Sequence, residues 1–229
     1  MASGRRGGKG VAALLALSLA APLLVLGAAL LTRGGALSLE IGYDLLTRRI
    51  GWWLAIAGAA AALGAVVLAL RDVRCLGLMA LAAVVAAGGT LGGFVWQNSR
   101  LAGAPSEDIS TDLAEIPGFG DFDDERGNRG PRVTAGVDAC PGALPVMKQI
   151  APESAIWALE EAGFTLRGAG VARADGSREG FWFGFDHDAV IRIRPGRTDI
   201  RVAARDSRSH GGDACRLASR ISEALQPAR

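Results

Sequence analysis

Three stretches decide how this chain is read: Val11–Leu31 (VAALLALSLAAPLLVLGAALL), Trp52–Leu70 (WWLAIAGAAAALGAVVLAL) and Cys75–Trp96 (CLGLMALAAVVAAGGTLGGFVW). An α-helix rises ~1.5 Å per residue and the hydrocarbon core of a bilayer is ~30 Å thick, so about 20 apolar residues make one crossing. Each stretch has that length and holds no Asp, Glu, Lys, Arg or His. Residues 1–100 are therefore expected to form a three-span transmembrane anchor. Ion pumps and transporters place ionisable groups at membrane depth, and their absence argues against a conducting or transporting role. The first apolar run also exceeds the ~7 to 15 residues of a signal-peptide core, which predicts an uncleaved first helix.

Flanking charge sets the expected orientation, because Lys and Arg are retained on the cytoplasmic side. Arg5, Arg6 and Lys9 with Arg71 and Arg74 fall on one face, against Arg33, Arg48 and Arg49 on the other. This bias puts the N-terminus in the cytoplasm and, after three crossings, the remaining chain outside it. The predicted location is the cytoplasmic membrane, with an extracytoplasmic C-terminal domain in the periplasm or its equivalent. Trp52, Trp53 and Trp96 stand at span ends as interfacial anchors, and Leu37–Arg49 reads as a short amphipathic interfacial segment or a solvated loop. Gly88, Gly89, Gly92 and Gly93 predict close packing of the third span within the three-helix group, the alternative being a dimer face.

Beyond residue 100 the composition changes. Residues 1–100 carry nine Lys and Arg against three Asp and Glu, whereas 101–229 carry sixteen against twenty. Between Glu107 and Glu125 lie eight acidic side chains and no basic one, so 101–132 reads as an acidic linker or arm that stays extended unless it docks on something basic. Residues 133–229 suit one domain. Pro152–Leu166 reads as a helix with Ile156, Trp157, Leu159 and Ala162 on its apolar stripe, ended by Gly163. Four strands follow, Thr165–Ala174, Arg178–Phe185, Ala189–Arg194 and Thr198–Arg205, separated by turns at Asp175-Gly176, Asp186-His187 and Pro195-Gly196. A last helix covers about Asp213–Leu225, with Leu217, Ile221 and Leu225 on one face. The expected fold class is three transmembrane α-helices followed by an α+β domain: helix, four-stranded antiparallel meander and helix in two layers.

Ile109-Ser110-Thr111-Asp112, the run Phe183–Ile193 (FGFDHDAVIRI), and Ser207-Arg208 with Asp213 and Arg220-Ile221 resemble the entry, central-hairpin and closing segments of the bacterial family labelled domain of unknown function 1499. The resemblance spans roughly residues 108–226. It departs at His187-Asp188, where that family shows paired acids, and at Ala204-Arg205, Cys215 and Leu217. It implies an envelope location, at a bacterial cytoplasmic (inner) membrane, and no established activity.

Cys140 and Cys215 are the only cysteines of the polar half. In an oxidising compartment they predict a disulfide, the alternative being two separate buried thiols. Asp186-His187-Asp188 invites a metal or acid/base reading, but neighbours along a turn seldom converge on one ion, so no metal and no cofactor are expected. Ser207, Ser209 and His210 lack the Gly-x-Ser-x-Gly elbow of a hydrolase. Alternation places Ile191 and Ile193 on one strand face and Arg192 and Arg194 on the other. Together with Arg201, Arg205 and Arg208 they could form a basic face. That face is expected to hold anionic lipid headgroups or an acidic envelope polymer, or else to receive the acidic arm through Asp108, Asp112, Asp121, Asp123 and Asp124. The candidate ligand-binding residues are Arg192, Arg194, Arg201, Arg208, Asp112 and Asp188. Nucleic acid is excluded as a partner by the net acidic charge of an exported domain. The expected partners are the lipid bilayer, an anionic lipid or polymer, or another envelope protein. The expected function is a non-catalytic, membrane-anchored binding or envelope-associated module, with a membrane-tethered hydrolase as the alternative.

Overall fold

The computed structural model describes residues 2–120 and 122–226, so Asp121 of the arm and the side chains of Arg5 and Arg6 lie outside the described residues. The chain divides into two compact units, Met1–Ser99 and Arg100–Arg229.

The first unit contains α1 (Ala2–Arg33), a wide π-helical segment Glu40–Gly51 that runs directly into α2 (Trp52–Ala69), and the start of α3 (Val73–Leu101). Three helical stretches, Gly8–Arg33, Glu40–Ala69 and Val73–Leu101, are long and apolar enough to cross a bilayer, which makes this a membrane protein. The amphipathic segment is thus neither loop nor separate helix: its helical spacing carries straight into the second span. Close packing uses small residues where backbones meet. Gly42 faces Thr32, and a Cβ on Gly58 would lie 3.3 Å from the Ser18 backbone. Ser18 Oγ also donates to the Gly58 carbonyl at 3.1 Å, an interhelical bond of the kind that replaces hydrophobic driving force in lipid. The third helix contributes Leu76, Ala80, Ala83 and Ala87 to this core. Its Gly88, Gly89, Gly92 and Gly93 meet nothing within 4 Å, so the expectation of intramolecular packing through them is not met.

In the second unit the sheet has five antiparallel strands: β1 (Asp108–Ser110), β2 (Thr165–Gly170), β3 (Arg173–Arg178), β4 (His187–Arg194) and β5 (Arg197–Ala204). Their spatial order is β1-β5-β4-β3-β2. The four-stranded meander is present, and the expected count is corrected by β1, which belongs to the acidic arm and pairs with β5 through Ile109 opposite Val202. A single isoleucine between Asp108 and Ser110 does not announce a strand. What recruits them is Ile109, fully buried, and the open edge of β5. A further segment covers β1, with Ser110 N–H donating to the Ala135 carbonyl at 2.9 Å and Ala135 N–H to the Asp108 carbonyl at 2.8 Å, so the new edge is not left bare.

Two turns also move. Asp175-Gly176 lies inside β3, where a Cβ on Gly176 would come within 2.9 Å of the Thr165 carbonyl; glycine is there for strand packing, not for turning. The aromatic run around Phe181–Phe185 has strand-like composition yet forms a loop, since Phe183 (φ 56°) and Gly184 (φ 69°) adopt left-handed backbone. His187 accordingly begins a strand.

Helices α5 (Pro152–Glu161) and α6 (Asp213–Leu225) pack on one sheet face. Pro152 stands in the first turn, and Gly163 (φ 83°) turns the chain after the last. The buried stripe of α5 is Ala155, Ala158, Leu159 and Ala162, while Trp157 faces outward, which corrects its expected place on the apolar stripe. On α6, Leu217, Ile221 and Leu225 are buried as expected, joined by Ala214 and Ala218. These meet Ile191, Ile193, Ile200 and Val202 in one core. A short helix α4 (Phe122–Arg126) belongs to the arm on the opposite sheet face.

Cys140 and Cys215 are disulfide-bonded across 75 residues of chain, and Cys75 is a free thiol. Closing a loop of that length restricts the unfolded ensemble, so Cys140→Ser/Cys215→Ser should cost about 2–5 kcal/mol in denaturant unfolding. Thiol labelling of the denatured, unreduced full chain should count one reactive cysteine. A count of three would remove the bond.

Candidate functional site

Strand alternation builds the arginine face. β4 presents Asp188, Val190, Arg192 and Arg194 to the arm, and β5 presents Arg197, Asp199 and Arg201. Arg192 lies opposite Asp199 in the register, and Val190 opposite Arg201. Asp199 is fully buried and accepts from Arg197 Nε at 2.6 Å, Arg194 Nη2 at 2.6 Å and Arg192 Nη2 at 3.3 Å. Asp112 closes the same group from above, taking Arg192 Nη2 at 2.9 Å and Arg194 Nη2 at 2.8 Å. Its other oxygen accepts the N–H groups of Ala114 and Glu115 at 3.1 and 3.2 Å, which turns the arm at this point. Glu115 adds an exposed contact to Arg194 at 2.6 Å. Burial alone would raise the Asp112 pKa. The Glu115 N–H, the Arg194 guanidinium, the Ala114 N–H and the Arg197 charge outweigh it and hold the carboxyl below its ordinary range.

Further along the sheet, Asp108 receives Arg201 through two nitrogens, Nε at 3.0 Å and Nη2 at 2.7 Å. Asp188, also fully buried, receives Arg205 in the same forked way and Arg126 Nη1 at 2.7 Å. The Arg126 and Arg201 guanidinium carbons lie 4.2 and 4.5 Å from the Phe119 ring centroid, so this buried ring of the arm carries two cations. Of the residues singled out in the sequence, the structure brings Arg192, Arg194, Arg201, Asp112 and Asp188 onto one face. Arg208 instead lies in the loop after β5, its guanidinium 3.7 Å from Asp206. The partners of the arginine face are thus carboxylates of this chain, as in the arm-docking alternative. Sequence reasoning missed Asp199, Glu115, Arg126 and Phe119. Asp199 could have been found from its period-two position beside Arg197 and Arg201.

The period of two also separates Asp186-His187-Asp188. Asp188 goes to the arm side, while His187 turns to the helix side and meets the molecule's other histidine. His187 Nε2 lies 3.3 Å from His210 Nδ1 and 3.8 Å from Glu107 Oε2, and His210 Nε2 lies 3.1 Å from Asp206 Oδ2. Glu107, His187 and His210 are all buried. Glu107 is absent from the sequence-level candidates, because nothing local marks it as more than one acid in an acidic arm. It caps α6: Oε1 accepts from His210 N–H and Gly212 N–H at 2.8 Å each, and Oε2 from Ala214 N–H at 3.0 Å. Burial would raise its pKa, but the bonds from His187, Ala214 and Gly212 and the His210 charge bring it down to about 2. The loop is shaped for this by left-handed backbone at Gly211 (φ 77°) and Gly212 (φ 79°). Both ring nitrogens of His210 face His187 and Asp206, not Ser207 or Ser209.

With this geometry in hand, the class defined is a membrane protein carrying a disulfide-bonded α+β domain with a five-stranded antiparallel sheet. The chain matches no protein-family profile, no curated protein and no solved structure.

Removing Asp199 takes a buried counter-charge from three guanidiniums that retain some access to water, so Asp199→Ala should cost about 3 kcal/mol. Glu115→Ala, at an exposed carboxylate, should cost at most ~1 kcal/mol. Denaturant melts of the two variants against the parent check this order. Because the folded Asp112 pKa is depressed, its stabilisation is complete above the ordinary value of 3.8 and fades as pH falls through the lower folded value. An acid titration followed by unfolding midpoint should show that loss, and Asp112→Asn should flatten it.

Proposed function

We propose that the protein is a membrane-anchored, non-catalytic binding module whose disulfide-bonded domain stands outside the cytoplasm and touches anionic lipid headgroups. The disulfide supports the extracytoplasmic side, since such bonds are rare in reducing compartments, and the flanking-charge bias points the same way. The observation that carries the binding reading is the β3–β4 loop. Phe181 and Trp182 are 74 and 55% exposed and stack edge to face at 5.1 Å. The left-handed backbone at Phe183, itself buried, fixes the loop behind them.

Arg178 closes β3 just before this loop, and Arg216 and Arg220 lie four apart on α6. Burial and the like charge of Arg220 both lower the Arg178 pKa, while Arg216 keeps an ion pair with Asp213 in the first turn of α6. Exposed phenyl and indole rings that follow Arg178 along the chain suit the headgroup layer of an anionic bilayer, where rings sit at the interface and guanidiniums meet phosphate. The arginines of the sheet face, occupied by Asp108, Asp112, Asp188 and Asp199, serve the fold in this reading. The hydrolase alternative loses support because His210 offers neither serine a ring nitrogen.

The test uses the full chain in bilayers with Trp52, Trp53, Trp96 and Trp157 replaced by Phe. Trp182 fluorescence should be quenched by lipid-attached quencher when anionic lipid is present, and Arg216→Glu/Arg220→Glu should abolish that. Quenching from the aqueous phase alone, whatever the lipid, would refute the surface assignment.

A further inference from the structure

We infer that Glu107, His187 and His210 form a binding site for a zinc-class divalent metal, which ties the acidic arm, the start of β4 and the loop before α6 into one clasp. One ligand atom from each of Glu107, His187 and His210 lies within 4.8 Å of the other two. Two of their separations are 3.3 and 3.8 Å. A tetrahedral zinc with bonds of about 2.0–2.1 Å places its ligands about 3.3–3.4 Å apart, so the two pairs that share His187 stand at or near closing distance.

The donors' surroundings fit the same assignment. Asp206 Oδ2, 3.1 Å from His210 Nε2, takes the proton on that nitrogen and leaves Nδ1 with its lone pair toward His187. This carboxylate–imidazole pairing orients metal-ligating histidines and raises their basicity. Phe185 stacks on the His210 ring at 4.3 Å and fixes its plane. Glu107 Oε1 is engaged by two backbone N–H groups, while Oε2 takes one backbone N–H, that of Ala214, and faces His187 Nε2 at 3.8 Å. Two imidazoles and one carboxylate select zinc, cobalt or nickel over calcium and magnesium, which demand more oxygens. The ligands come from positions 107, 187 and 210, so one ion would join segments that are far apart in the chain. Their burial favours a structural role.

The decisive experiment takes the full chain in detergent, purified without a histidine tag in a Cys75→Ser background, strips it with chelator and titrates zinc and cobalt. One equivalent should bind, cobalt should give the strong visible absorption of a tetrahedral nitrogen/oxygen site, and zinc should raise the thermal midpoint. His187→Ala and His210→Ala should each abolish stoichiometric binding. Asp206→Asn, which spares the ligands, should weaken it about 10- to 100-fold. Should an alanine variant not fold, the parent's cobalt spectrum and the Asp206→Asn affinity still decide. A stripped parent that takes up no metal, or a variant lacking both histidines that binds as the parent does, overturns the site and leaves an Asp206–His210–His187 hydrogen-bond chain in its place.

Discussion

The rest of the soluble unit depends on a buried carboxylate, Asp199, held under three guanidiniums in the middle of a β-sheet. A carboxylate with no exposure to water is costly unless it is paired and hydrogen-bonded, and Arg192, Arg194 and Arg197 all meet it. One carboxylate cannot balance three cations. Asp112 and Glu115 supply the remaining charge, and both belong to the acidic arm. Charge balance on the sheet therefore requires the arm to fold back. Once it does, Ile109 enters the core and β1 joins the edge of β5. Asp108 with Arg201 and Asp188 with Arg126 repeat the scheme along the sheet.

This explains what was legible in the sequence. The spans could be read because bilayer thickness imposes a length and a polarity that few other structures share. Helix α6 could be read to its ends, since Leu217, Ile221 and Leu225 repeat at helical spacing. The alternation of Ile191 and Ile193 with Arg192 and Arg194 gave β4 its two faces. The arm defeated local reasoning because its structure is not local: Asp108-Ile109-Ser110 is a strand only where β5 offers an edge and Arg201 a counter-charge. The β3–β4 loop defeated it for the opposite reason, with strand-like composition interrupted by left-handed backbone at Phe183 and Gly184 that no propensity reveals.

The candidate site was half legible. His187 and Asp188 drew notice as adjacent residues that were expected to stay together in a turn. In a strand they part, and each finds distant partners, Glu107 and His210 for one, Arg126 and Arg205 for the other. Glu107 serves twice, as the cap that satisfies the first N–H groups of α6 and as the carboxylate of the histidine cluster. Since Glu107 immediately precedes β1, the cluster and the arginine lattice anchor the two sides of one short segment, and loosening either would release the other.

Amide hydrogen exchange of the full chain at neutral pH tests most directly whether the acidic arm is the resident partner of the arginine face. The N–H groups of Ser110 and Thr111, which donate to Ala135 and Ile200, should exchange as slowly as those of β5 and lose that protection in Asp199→Ala. Exchange of this segment at the rate of an unstructured chain in the parent protein would contradict the account.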